Sequence, residues 1–179
     1  MVEFLGRRNV QGASVLEVGG GVGEIQVELL KRGAATAVNL ELSAAYEDEA
    51  LDLLRAAGLE DRVERRLQDV ALDAGAVEPA DVVVLHRVVC CYPDYQRLLA
   101  AAADHTRSLL VFSFPRYNAI SRFLLAGQNL GFRIRRVHFR VYAHSPNAML
   151  AVLRDHGLRP ALLHRGLAWQ MAGLERSAG

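Results

Sequence analysis

No acidic residue occurs between His105 and Arg154, although that stretch holds eight arginines. The basic character is almost wholly arginine, because the chain of 179 residues has one lysine. The first 104 residues hold eighteen acids against ten basic residues, and the rest hold two acids, Asp155 and Glu175, against eleven arginines. A net charge of +1 therefore conceals a basic second half, read either as a solvated basic face or as attraction for an anionic substrate or partner. Long apolar runs are absent too: none approaches the ~18–20 residues of a membrane span. The opening Met1-Val2-Glu3-Phe4-Leu5-Gly6-Arg7-Arg8 lacks an apolar signal core and a small-residue cleavage site, so no secretory signal is read there. Cysteine is limited to the adjacent pair Cys90 and Cys91. Neighbours in sequence neither staple a fold nor match metal-site spacing. A reduced, cytoplasmic protein of one domain, residues 1–179, is the expectation.

Against this background one stretch stands out. Val15-Leu16-Glu17-Val18 runs into Gly19-Gly20-Gly21-Val22-Gly23, and Glu24-Ile25-Gln26 then opens a helical pattern. The pattern predicts a buried strand, a turn without Cβ atoms and a helix N-terminus facing a polar or anionic ligand. A dinucleotide fingerprint needs a third small residue, and counting from Gly19 that place is taken by Glu24. The spacing is instead E-x-G-x-G-x-G.

The remaining pattern alternates strands with helices. Strands are predicted at 35–40, Val63–Leu67, Asp81–Leu85 and Leu109–Phe114. Helices are predicted at 24–32, from Ser43 to about Ala57, and from about Asp94 to His105. That alternation implies right-handed crossovers and a mostly parallel sheet. Residues 116–142 break the rhythm and are read as a substrate-side insertion, with a helix ending near Gly131 and an edge strand or ribbon over Arg133–Tyr142. Ser145-Pro146 then starts a helix ending at Gly157, and two last strands follow at Leu158–Leu163 and Leu167–Leu174.

The glycine motif resembles the first motif of the class I S-adenosylmethionine (SAM) dependent methyltransferases. Glu41 lies 22 residues after Gly19, at a predicted strand end, where an acceptor for ribose hydroxyls is needed. Asn39-Leu40-Glu41-Leu42-Ser43 is similar to that family's second motif, with Glu41 on the ribose and Leu42 against the adenine. Asp69 and Val70 fall where the family reads the adenine amine. Asp81–Asp94, DVVVLHRVVCCYPD, resembles its fourth motif, which places His86 and Arg87 beside the methionine part of SAM.

The resemblance implies a three-layer α/β sandwich around a seven-stranded, mostly parallel sheet with the last strand antiparallel. Its implied cofactor site comprises Glu17, Gly19, Gly20, Gly21, Gly23, Glu41, Leu42, Asp69, Val70, His86 and Arg87. SAM is the cofactor and S-adenosylhomocysteine (SAH) the product. Phe114-Pro115-Arg116 and the basic segment after it are similar to the magnesium-protoporphyrin O-methyltransferases. His86-Arg87-Val88 does not offer the acidic ligands of the catechol branch, so no metal is expected. Because the first strand begins near residue 14, less than one helix precedes it. The expectation is a fragment, or a homodimer whose second subunit supplies the lid.

Methyl transfer depends on placing the nucleophile, and a hydroxyl acceptor gains from a base with a pKa near neutrality. His86, at the central strand's carboxyl end, is the candidate catalytic base, with a purely positioning role as its alternative. Arg116, Tyr117 and His144 are the candidate substrate-binding residues, and Cys90 and Cys91 are read as packing residues. The leading expectation is O-methylation of a small anionic molecule. A methyltransferase-fold protein that binds SAM or a partner without catalysis is the second reading, and a protein or nucleic-acid methyltransferase the third. No Asn-Pro-Pro-aromatic type motif and no stacking-rich basic domain support nucleic acid as a partner.

Overall fold

The computed structural model describes residues 1–8 and 10–177. A short helix α1 (Val2–Gly6) precedes β1 (Ser14–Val18), α2 (Glu24–Lys31), β2 (Thr36–Glu41), α3 (Glu47–Ala57) and β3 (Val63–Leu67). The second half continues with β4 (Ala80–Leu85), α4 (Tyr95–Asp104), β5 (Thr106–Pro115), α5 (Ala119–Ile134), α6 (Pro146–Asp155), β6 (Leu158–Arg165) and β7 (Trp169–Arg176).

The seven strands form one sheet in the order β3-β2-β1-β4-β5-β7-β6. The first five are parallel, and β7 lies antiparallel between β5 and β6. The expected architecture is therefore the one observed. Chain order reverses between β1 and β4, and in such sheets ligands bind beyond the carboxyl ends of the strands at that crevice. Asp81 fixes the opposite end of the same pair, its carboxylate accepting 2.8 Å hydrogen bonds from the Ser14 backbone N–H and hydroxyl.

Both sheet faces are covered, which explains why β4 reads as a continuous apolar run. Val82 and Val84 pack on the side of Leu5, Leu29, Leu30 and Leu54, from α1, α2 and α3. Val83 and Leu85 turn to the other side, toward Leu98, Leu99, Phe112, Met149 and Leu153. These two-sided cores hold the strand ends still and so define the rim on which the site is built.

Helix α5 stands outside the two layers and buries none of its residues. The ribbon expected over Arg133–Tyr142 is a correction: Arg133 and Ile134 close α5, and residues 137–145 carry no regular structure. The peptide groups a strand neighbour would have paired find isolated partners instead. The Asn129 side-chain amide donates to Val141 O at 2.7 Å and accepts from Val141 N–H at 2.9 Å. Tyr142 N–H donates to Cys90 O at 2.6 Å.

Candidate functional site

The glycine turn leaves β1 at the crevice. Gly19 has φ of 62° and packs so closely on the loop after β4 that a Cβ there would lie 2.5 Å from Val88. Gly20 faces the interior, where a Cβ would meet the Asn39 side chain at 2.5 Å and Glu17 at 2.8 Å. Gly21 lies at the crest, and Gly23 takes the N-cap position of α2. Beneath the turn the side-chain amides of Gln26 and Asn39 are buried without a hydrogen-bond partner among the described residues.

The two motif acids do different work. Glu41 leaves the end of β2 with its carboxylate aimed at backbone donors. Gly21 N–H donates to Oε2 at 2.9 Å, and the N–H groups of Leu42 and Ser43 donate to Oε1 at 2.7 and 3.1 Å. The carboxylate is held in place by peptide groups, and Oε2 keeps a lone pair for an incoming hydroxyl. Glu17 is 2% exposed and lies beneath the turn, where Gln26 N–H, in the first turn of α2, donates to it at 3.1 Å. Burial pushes its pKa up to about 8, against the lesser opposing effects of that hydrogen bond and of Arg65. It therefore secures the helix start from below and does not line the cavity.

Arg65, on β3, was not singled out by its sequence context. Its side chain is 7% exposed, and Nη2 donates to Gly21 O at 2.9 Å and to Glu47 Oε1 at 2.8 Å. It ties the crest of the turn to the start of α3.

These elements enclose a cavity of about 610 Å³ at the switch point. Its wall includes Gly19, Gly21, Glu41, Leu42, Asp69, Val70, His86 and Arg87, so eight of the eleven residues expected around the cofactor meet there. Glu17, Gly20 and Gly23 support the turn from behind. Leu42 is 62% exposed, whereas Val70 is buried. Asp69 is already engaged: one oxygen accepts from Ala71 N–H and the other from the Tyr92 hydroxyl, each at 2.9 Å. Burial, followed by that bond, pushes the Tyr92 pKa up to about 12.

His86 stands at the end of β4, its Nδ1 3.1 Å from Ser113 Oγ on the neighbouring β5. Ser113 Oγ also accepts from Arg87 N–H at 2.9 Å. Partial desolvation, with the Arg87 charge second, holds the imidazole below its ordinary pKa of 6.5. Arg87 has φ of 59°, and its guanidinium lies 4.9 Å from the centre of the Trp169 ring.

Arg87, Cys91 and Phe139 also line a second cavity of about 400 Å³, completed by Leu124, Leu125 and Gln128 of α5 and by Trp169. Phe139 and Trp169 carried no signal in the sequence, because their chain positions are far from any motif. Cys90 is buried, and its sulfur lies 3.6 Å from that of Cys91.

Of the three candidate substrate-binding residues, two share a cavity and His144 lies apart. Arg116 and Tyr117 line a separate cavity of about 430 Å³ with Asn118, Ser145 and Gln170, sharing no wall residue with the first. His144 packs 4.3 Å from Tyr95 and 5.7 Å from Tyr142, ring centre to ring centre, and its Nε2 is 3.3 Å from Tyr92 O. It is not part of the first cavity's wall. Among the described residues no three His, Cys, Asp or Glu side chains gather into a metal-binding group, and no helix is long and apolar enough to cross a membrane.

Comparison with known proteins agrees with this geometry. The profile of a methyltransferase domain family matches residues 1–171. No curated protein sequence matches the chain. Among solved structures, magnesium protoporphyrin IX methyltransferase (ChlM) from Synechocystis, crystallised with SAH, is 20% identical with a TM-score of 0.77. That alignment covers 98% of this chain and 80% of ChlM. An O-methyltransferase family protein from Burkholderia thailandensis is 21% identical with a TM-score of 0.79, over 100% of this chain and 56% of its own. The [4+2]-cyclase SpnF shares the fold at 12% identity and a TM-score of 0.76, over 99% of this chain and 80% of its own.

Proposed function

The chain belongs to the methyltransferase domain family, that of the class I SAM-dependent enzymes, and from that premise we propose that it transfers the methyl group of SAM to a small anionic acceptor, with oxygen the favoured atom. The observation that carries this reading is the Glu41 carboxylate, set by three backbone N–H groups at the mouth of the glycine turn. A fixed carboxylate beside a turn of this kind suits a ribose diol, and the apolar Leu42, Val70 and Leu98 nearby suit an adenine. SAM bound there would supply an electrophilic sulfonium methyl group. ChlM, similar in fold, was crystallised with SAM and with SAH.

The chain's own residues would orient the acceptor and take its proton. Partial desolvation lowers the His86 pKa, which favours the neutral imidazole that can accept a proton. When Nδ1–H donates to Ser113 Oγ, Nε2 is left as the basic nitrogen. Arg87 supplies the positive charge nearest that histidine along the chain, and it lines both cavities. An acceptor seated against Arg87, Phe139 and Trp169 would place an acidic group by the guanidinium and an apolar body between the rings. This assigns to Arg87 the anion-binding role expected of Arg116. No step in this scheme calls on a metal.

A second reading keeps the cofactor and drops the transfer. It is favoured by the likeness to SpnF, a [4+2]-cyclase of the same fold. Isothermal calorimetry with SAM and SAH tests the cofactor half, with Glu41→Ala weakening both by about 1–3 kcal/mol, as for a lost charge-assisted hydrogen bond. Unchanged affinity removes Glu41 from the site, and preference for a nicotinamide cofactor removes the whole reading. Incubation with methyl-labelled SAM and a panel of small aromatic acids tests the transfer. Tight SAM binding with no labelled product from any acceptor favours the second reading.

A further inference from the structure

Helix α5 is amphipathic in an unusual sense. Its inward face is mixed, with Ser121, Leu125, Asn129 and Phe132 only partly covered. Its solvent face is the more apolar. Ile120, Phe123, Leu124, Leu130 and Ile134 follow helical spacing along one stripe and are 72%, 79%, 64%, 58% and 75% exposed. Gly127 and Gly131 fall on the same stripe and interrupt it with no polar side chain. Contiguous apolar patches of this kind mark interaction sites.

The border of the stripe says what it meets. Arg133, Arg135 and Arg136 are exposed, and among the described residues none of them forms an ion pair, whereas Arg122 stacks on the Tyr117 ring at 5.6 Å, away from the stripe. No acid lies anywhere from residue 105 to 154 to neutralise them. Pairing two copies across this helix would bring arginine against arginine with no compensating carboxylate. An apolar stripe edged by unpaired arginines is complementary to a surface that is apolar within and anionic above.

We propose that α5 docks this protein on an anionic lipid surface, with Ile120, Phe123, Leu124, Leu130 and Ile134 in the acyl boundary and the arginines among the headgroups. The helix lies in the interface and does not span it, as its 16 residues and the absence of a spanning helix among the described residues require. Leu124 and Leu125 of the same helix line the cavity that holds Arg87 and Phe139, so an amphiphilic acceptor drawn from the lipid would meet Arg87 directly. That route for the acceptor rests on the proposed methyl transfer; the docking does not.

The test is co-sedimentation of the full chain with vesicles of phosphatidylcholine alone and with a quarter of the lipid replaced by phosphatidylglycerol, at low and high salt. The expected result is binding to the anionic vesicles that exceeds binding to neutral ones by about tenfold and weakens with salt. The double variant Phe123→Ser/Ile134→Ser changes only exposed side chains, and circular dichroism confirms its fold. It should lower partitioning by at least about tenfold, and Arg133→Ser/Arg135→Ser should weaken binding at low salt. SAH affinity measured alongside should stay unchanged, which separates this outcome from failure of the cofactor reading. No binding to anionic vesicles, or binding unaffected by Phe123→Ser/Ile134→Ser, overturns the proposal. So does a wild-type dimer in sedimentation velocity that this double variant converts to monomers, because a second copy would then cover the stripe.

Discussion

Replacing Glu17 by Gln separates architecture from ligand contact in the glycine motif. The carboxyl is buried, its pKa is pushed up from 4.5 to about 8, and desolvation is the leading cause. A raised folded-state pKa means that the native protein holds this proton more tightly than the unfolded chain does. The associated stability is fully present below about pH 4.5 and is lost as pH rises through about 8. The gap between the two values, at 1.36 kcal/mol per pH unit, is worth roughly 5 kcal/mol at full extent. Glu17→Gln keeps the shape and can still accept the Gln26 N–H bond, but it does not titrate. Urea unfolding of both proteins from pH 5 to 9 is the assay. The variant should gain on the wild type as pH rises, by several kcal/mol across the range, and SAH affinity at pH 7 should change little because Glu17 does not line the cavity. A stability difference between the two that is constant with pH refutes the buried, neutral carboxyl.

Two further outcomes follow from the same geometry. Since His86 is held below pH 6.5, the acid limb of kcat/KM should lie below that value, and His86→Asn should abolish the limb while leaving SAH binding within a few fold; a limb above pH 6.5 or one retained in the variant removes His86 as base. Arg65→Met breaks the link between Gly21 O and Glu47, and should cost about 1–3 kcal/mol of stability together with weaker SAH binding, as read by denaturation and calorimetry; equal affinity would show that the crest of the turn holds its shape alone.

The sequence showed the proposed cofactor half of the site because that half is local. Gly19 and Gly21 follow directly from a buried strand, and Glu41 lies at the end of the next one, so spacing alone brought them together. Spacing could not distinguish the two acids of the motifs. Both sit at or near strand ends, and only packing beneath Gly20 reveals that Glu17 turns inward. Parity hid Arg65 in the same way. In Val63–Leu67 two arginines are adjacent, and the strand sends one beneath the turn while Arg66 pairs with Glu64 at the surface. Arg116 was placed by its position just past Pro115. In the structure its backbone N–H still bonds to Ala168 O at 2.9 Å, so the chain stays on the β7 side and the residue lines another cavity. The ribbon expected beyond residue 133 failed for a related reason: loose alternation specifies a strand only where a neighbouring strand can take up its peptide groups.

The proposed acceptor half has a different origin, and this bears on how the fold could support unlike reactions. Arg87 comes from the end of β4, Phe139 from the irregular segment after α5, and Trp169 from the start of β7. The three meet because of sheet order, with β7 inserted beside β5, and not because of any motif. Arg87 and Phe139 also line the first cavity, so of the three only Trp169 can vary without altering the wall that holds Glu41 and the glycine turn. ChlM and SpnF share the architecture at low identity, as expected of a fold whose sites vary while its sheet order is kept. For this chain, a change at Trp169 should alter acceptor choice alone, changes at Glu41 and Arg65 should alter cofactor affinity, and changes at Arg87 and Phe139, which line both cavities, should alter both.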